Sequence, residues 1–412
     1  MAGLSWNRAE WIAAVACLGA AACGNGGPQI YGPAYDGGEG GAGDAKLDVA
    51  SDSPAPQEGG PADTGADAPA CSSTVALLGG SATTLFGAGG HGLSGLSAQS
   101  LTGNLLDCLQ DFTCGIPAAV VPLGTGLFGV LATSAGALES TSFASSWAAP
   151  AAIAGADATI DGPALAAVSG NAELVYQGAD YKYYHAHYTQ SWSPAAEPVG
   201  GLATQSYGAR APGAAAAGAD LVTAQGGADG YLYTQVYSGG AWQAAAKNGS
   251  AAVQNTIPPA IVTMNGGGSE LLAAYLRITD YKIMSVDRKS GTWSTSPVQV
   301  NVNAFTDDPL ALAALPGGKA LLVYRGSDKK PYFSVWDGQA WSVPVAALGA
   351  SNPSIASAPS AAAGVCGADA VVAWAETGGG VVVVPFTAGA FGSPQSVAGT
   401  SGAKFVAVGT LP

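Results

Sequence analysis

The sequence predicts an all-β fold, a β-propeller of seven four-stranded blades closed into a ring by strands from both termini, and three observations predict it. An aromatic residue recurs with a period near 50, at Trp147, Trp192, Trp242, Trp293, Trp341 and Phe391, with spacings of 45, 50, 51, 48 and 50. Ahead of it stands the same order of short apolar runs divided by Gly-rich turns: residues 163–168, 172–177 and 182–189 in one unit, 309–315, 320–325 and 331–336 in another. Four short strands in a repeat of this length form the pattern of a propeller blade. The two ends of the repeat region also complete one another. Residues 74–79, 84–87 and 96–102 read as the second, third and fourth strands of a blade without its first, and 403–409 reads as a lone first strand. Seven blades use both ends, whereas six or eight leave one unpaired, and an unpaired sheet edge invites aggregation.

The elements before the ring follow in order. Arg8 and the apolar run from Trp11 to Ala22 read as an export signal over residues 1–22, because twelve residues are too few to span a bilayer as a helix. The segment Leu18-Gly19-Ala20-Ala21-Ala22-Cys23 resembles a bacterial lipobox, which implies lipidation at Cys23 and a membrane contact through the lipid alone. Residues 23–70 are then a disordered tether. From Gly24 to Ala70 eight carboxylates face one lysine, Lys46, among Gly, Pro and Ala, and such a segment buries too little apolar surface to offset its ordering entropy. The ring occupies 71–412. An insertion at 105–115 between the first two blades carries Cys108 and Cys114, expected to pair locally. Cys71 and Cys366 fall on one face of adjacent blades and are expected to form a second disulfide that locks the ring, since export permits oxidation.

The repeat places candidate binding residues on its turns and third strands. Tyr184, Tyr233, Tyr281 and Tyr332 are read as third-strand tyrosines able to show a ring face to solvent, and the repeated tryptophans as packing between blades. Asp180, Asp229, Asp280 and Asp328 recur in the turn after the second strand. Four carboxylates on one rim could bind calcium or sugar hydroxyls, but Asp in a tight turn also accepts its own backbone N–H two residues on, and capping is the expected role. Arg277 and Arg325 are read as equivalent blade positions. His185 and His187 lie two apart on a strand without a nearby third ligand, so they are expected to be the polar face of that strand and not a metal site.

At this point a resemblance enters. The unit running from Ala320 through Tyr324, Arg325 and Asp328 to Tyr332, Trp341 and Ser342 resembles the blade repeat of bacterial and fungal seven-bladed propeller lectins of the tectonin-like type, in register over 71–412. The resemblance implies a non-enzymatic protein that binds sugars between blades or at blade tips.

Composition narrows the remaining classes. Charged residues make up 10% of the chain and the net charge is -14, which disfavours nucleic acid. A sialidase-type glycoside hydrolase is the catalytic alternative, with Arg210, Arg277 and Arg325 as its arginines. Its S-x-D-x-G-x-x-W turn is replaced by Ser-Gly-Gly-Ala-Trp242 and Asp337-Gly-Gln-Ala-Trp341, and Glu173, Glu270 and Glu376 scatter among strand ends where hydrolysis needs two facing carboxylates. No nucleophile elbow, Walker loop or C-x-x-C occurs. The expectation is an exported, monomeric lipoprotein of the cell envelope, in the outer membrane, without a cofactor. Its body binds glycans or an envelope protein, or serves as a scaffold or spacer.

Overall fold

A computed structural model describes residues 72–106, 116–156, 159, 161–193, 197–199, 211–227, 229–253, 257–265 and 268–411. All of them belong to the compact unit Ala66–Pro412. The signal, Cys23, the tether, Cys71, Cys108 and Cys114 lie outside the described residues.

The described chain forms seven antiparallel sheets, and its one helical turn is a 3-10 segment, Gly349–Ser351. Blade 1 comprises Phe405–Leu411, Thr74–Ser81, Thr84–His91 and Ala98–Leu101, from inner strand to outer. Blade 2 is Ala118–Leu123, Gly126–Ala132, Leu138–Phe143 and Ala151–Ala152; blade 3 is Ala164–Val168, Asn171–Gln177, Tyr183–Tyr188 and Glu197–Pro198. The inner, second and third strands of blade 4 are Gly213–Ala217, Asp220–Gly226 and Tyr231–Ser238, those of blade 5 Ala260–Thr263, Leu271–Leu276 and Ile283–Lys289. In blade 6 they are Ala311–Leu315, Lys319–Arg325 and Pro331–Trp336, and in blade 7 Ser360–Ala363, Ala370–Ala375 and Val381–Thr387. The outer strands of blades 4, 5 and 7 each break into two short pieces on the third strand.

Position in the blade explains composition. Second strands are covered on both faces by neighbouring blades, so Leu271–Leu276 (LLAAYL) and Ala370–Ala375 (AVVAWA) are buried at every residue and read as unbroken apolar runs. Inner strands converge on the axis, where only small side chains fit. Ala166, Ala215, Ala313 and Ala362, with Val120, Val262 and Thr410, line a central channel of about 600 Å³ that every blade helps to form.

Ring closure matches the expectation from the termini. The C-terminal strand pairs antiparallel with the N-terminal one from Thr74↔Leu411 to Gly80↔Phe405. A second link, Ala98 N–H to the Ala398 carbonyl (2.8 Å), ties the outer strand of blade 1 to the end of blade 7. The repeated aromatics pack between blades, as expected. The indole N–H of Trp147 donates to the Ala88 carbonyl (3.0 Å), Trp192 to Ser140 Oγ (3.0 Å) and Trp341 to Ser285 Oγ (2.8 Å), each in the preceding blade. Gly87 makes room for the first of these, because a Cβ there would lie 2.2 Å from the Trp147 ring. Cys366 stands at φ 59° in the exposed turn between the first two strands of blade 7. It is disulfide-bonded, with a partner outside the described residues.

Candidate functional site

Successive strands alternate direction, so the turns between second and third strands share one face of the ring with the connectors from each blade to the next. The repeated aspartates occupy those turns, and three blades build the same clamp there. Asp180, Asp229 and Asp328 each accept, on Oδ1, the backbone N–H two residues on (3.0, 3.2 and 3.1 Å). On Oδ2 each accepts the hydroxyl of a third-strand tyrosine, Tyr184, Tyr233 or Tyr332, at 2.9 Å. The tyrosine ring then lies over the glycine two residues before the aspartate. A Cβ on Gly178, Gly227 or Gly326 would come within 2.7, 2.5 or 2.8 Å of it, which makes G-x-D-x-x-x-Y a steric unit. Capping is thus the common role of these aspartates, and the phenol bond is the part that sequence reading missed.

The clamp fixes its own protonation. Burial works against the carboxylates of Asp180 and Asp229, but lysine, tyrosine and backbone donors outweigh it and hold both below the usual carboxylate value. The same two causes, burial first and then the aspartate acceptor, raise the phenol of Tyr332, which keeps it a donor at neutral pH.

Blade 5 departs from the clamp. Its turn is one residue longer: Leu276 pairs with Ile283 where Arg325 pairs with Pro331 in blade 6, so Arg277 and Arg325 are not equivalent as expected. Arg277 grips Asp280 through Nε (2.8 Å) and Nη2 (2.5 Å), and chiefly this pairing lowers the Asp280 pKa. Met284 stands where the clamp has its tyrosine. Tyr281 is correspondingly a turn residue at φ 57°, exposed but outside the third strand.

Arg325 is buried instead. Its Nη1 donates to the Ala356 carbonyl of the next blade (3.0 Å), while its Nε lies 3.2 Å from Asp308 Oδ2 with the N–H not aimed at that oxygen. Without that hydrogen bond, burial dominates and lifts the Asp308 carboxyl to about 6, against the opposing pull of Arg325. Of the two described arginines of the sialidase reading, Arg277 is thus held by Asp280 and Arg325 is buried on a backbone carbonyl; Arg210 lies outside the described residues.

The other titratable residues also moved from their expected places. His185 is buried at the seam of blades 3 and 4, its Nε2 2.7 Å from Glu173 Oε2 and its ring against Tyr237 and Trp242 (4.5 and 5.2 Å between centroids). Glu173 is consequently an interior residue of a second strand, not a strand-end carboxylate, and His185 is not on a polar face. The two histidine rings sit 6.3 Å apart. Among the described residues no group of three or more His, Cys, Asp or Glu could hold a metal.

One clamp opens onto a cavity. Between blades 5 and 6 a pocket of about 380 Å³ is walled by the clamp (Gly326, Asp328, Tyr332) with Tyr324 and Ser327 and, opposite, by the connector residues Asn301, Asn303 and Phe305. Val343 and Pro344 close its outer side. Tyr324 and Tyr332 stack at 5.9 Å and 24°. Asn301 Oδ1 accepts the Asn303 N–H (3.0 Å), which shapes the connector into a turn. Aromatic rings, a carboxylate, a hydroxyl and two amides thus converge on one concavity, the combination that matches a polyol with an apolar C–H face. A wider cleft of about 820 Å³ lies at the same place between blades 6 and 7, with Phe333, Phe391 and Glu376 but no Asp–Tyr clamp.

No family model and no curated protein matches the chain. Several solved structures are similar to it. AofleA from Arthrobotrys oligospora is 13% identical, over 72% of this chain and 90% of that one, with a TM-score of 0.52. The fucose-specific lectin from Aleuria aurantia is 15% identical, over 71% and 98%, with a TM-score of 0.50; another structure of that lectin is described as a six-bladed β-propeller. A Hadza microbial sialidase is 9% identical over 76% and 73%, at 0.46. The likenesses to AofleA and the Aleuria aurantia lectin support the propeller fold. The seven blades of this chain set it apart from the six-bladed lectin.

Proposed function

We propose that this chain is a non-catalytic glycan-binding module of the cell envelope, exported and held there by lipid on Cys23. One observation carries the reading: at the seam of blades 5 and 6 the Asp328–Tyr332 clamp faces two connector amides across a cavity the size of one or two sugar rings. The fucose specificity of a lectin with a similar fold supports the class and makes fucosides the first ligands to try. The pairing of Arg277 with Asp280 and the burial of Arg325 support a binder over a sialidase. A glycan array probed with the full mature chain tests it: wild type should bind a discrete set of glycans, and Tyr332→Ala should lose them. A wild type that binds none would favour the scaffold or spacer reading.

Two covalent features belong to the same proposal. Cys71 is the partner we assign to Cys366, because Val75 and Val365 share one core cluster and Thr410, beside the start of the N-terminal strand, donates to the Ala363 carbonyl (2.8 Å). Cys108 pairs with Cys114 in the insertion. Peptide mapping without reductant should recover both bridges, and fatty-acid labelling should be lost in Cys23→Ser.

A further inference from the structure

The lips of the pocket between blades 5 and 6 differ in chemistry from its floor. Eight large apolar side chains are exposed among the described residues, and two of them line this pocket. Phe305 (43% exposed) and Val343 (71%) line the opening. Val345 (51%), two residues on from Val343, belongs to the cleft between blades 6 and 7. A monomer scatters such residues singly; two beside each other at one opening give it an apolar lip. The equivalent connector from blade 2 to blade 3, fixed by its own Ile153 as this one is by Val300, has Ala154, Gly155 and Ala156 where Asn301, Val302 and Asn303 stand. The connector from blade 2 to blade 3 thus lacks both amides.

We propose that this pocket takes an amphipathic glycoside, with the sugar on the polar floor and the first carbons of an apolar aglycone lying across Phe305 and Val343. The natural ligand class is accordingly a glycolipid, with its headgroup in the pocket and the root of its chain on the lip. This rests on the glycan reading and adds the carrier to it. Free sugar leaves the lip in water, and the aglycone removes it at roughly 25 cal/mol per Å² of apolar area covered.

Matched methyl and octyl glycosides of fucose, galactose, glucose, mannose and N-acetylglucosamine, kept below micelle-forming concentrations, supply the probes. Affinities are measured by calorimetry on the full mature chain. For any sugar that binds, the octyl form should bind about tenfold more tightly than the methyl form. The double variant Phe305→Ser, Val343→Ser should bring that ratio to about one; both side chains also wall the pocket, so the ratio and not the methyl-glycoside affinity is the readout. Both residues are exposed, and an unchanged melting curve confirms that the variant is folded. Equal methyl and octyl affinities would overturn the inference and leave the glycan reading standing. Octyl binding indifferent to the sugar and to Asp328→Asn or Tyr332→Phe would overturn it by showing a merely sticky surface. Binding of no glycoside at all would overturn both.

Discussion

The seam between blades 2 and 3 and the seam between blades 5 and 6 are built on the same plan and finished differently. Both carry an Asp–Tyr clamp, Asp180–Tyr184 and Asp328–Tyr332, and both stack that tyrosine on a second one, Tyr176 or Tyr324, at 5.6 or 5.9 Å and the same 24°. Both connectors hold a threonine that caps an aspartate, Thr159–Asp161 and Thr306–Asp308. The connectors diverge in what they offer the clamp. One presents Ala154 and Ala156, and Tyr184 packs into an apolar cluster that includes Ile153. The other presents Asn301 and Asn303 across an open cavity. The clamp is therefore architecture, a device that rigidifies a turn wherever it occurs, and the two seams differ in the loop opposite. Repeat proteins can vary that loop freely because it carries few backbone hydrogen bonds.

The widest test of the comparison removes what both seams share. Deleting residues 403–412 takes the inner strand from blade 1 and opens the ring, so a single cooperative melt should give way to aggregation or a broad early transition. A melting midpoint unchanged within a few degrees would show that the seams are held independently of closure.

A second test separates the two capped aspartates. Asp161 accepts the N–H groups of Gly162 and Ala211 at 2.7 Å each, whereas Asp308 Oδ2 has no hydrogen bond among the described residues. An acid whose pKa is raised by folding stabilises the folded state below its unfolded value, and loses that contribution as pH rises through its folded value. For Asp308 the window runs from 3.8 to about 6, at most about 3 kcal/mol at 1.36 kcal/mol per pKa unit. Denaturant titrations across that window should show stability falling with pH in wild type and a flatter profile in Asp308→Asn. Asp161→Asn should instead destabilise at neutral pH, since it weakens two charge-assisted bonds.

A third test asks whether the clamps differ in function while sharing structure. Asp180→Ala and Asp328→Ala should each cost about 1 kcal/mol of stability, the scale of a lost turn cap and phenol bond. Only Asp328→Ala should reduce glycan affinity, by tenfold or more. Equal losses of binding would mean that both seams are sites. The smallest and sharpest change swaps the connectors: Asn301→Ala with Asn303→Ala should weaken binding several-fold without moving the melting point. Asparagine at positions 154 and 156 should begin to confer it on the other seam.

How much of this the sequence revealed depends on whether a residue repeats. Trp147 to Phe391 and the paired termini are periodic, so blade number and closure were legible, as were the turn aspartates. The capping threonine and aspartate also repeat, three residues before an inner strand at Asp161 and Asp308, and that spacing was a usable signal left unread. Asn301 and Asn303 occur in one connector only, so periodicity is blind to them. The inserted residue in the blade 5 turn displaced Arg277 from Arg325, an error that counting alone could not catch. Glu173 looked peripheral because a charged residue in a buried strand is explained only by a partner, His185, that sits on the neighbouring strand.

Closing the first blade with both chain ends also gives the molecule a direction. Ser72 and Ser73 lie beside the end of the third strand of blade 1, where their carbonyls meet His91 Nδ1 (3.0 Å) and the Gly92 N–H (3.0 Å). That is the face of the turns between third and outer strands, opposite the one on which Asp328 and Asn301 stand. The chain thus enters the ring on one face, and the pocket opens on the other. An attachment made through the residues ahead of Ser72 would therefore leave the face that carries Asp328 and Asn301 unobstructed.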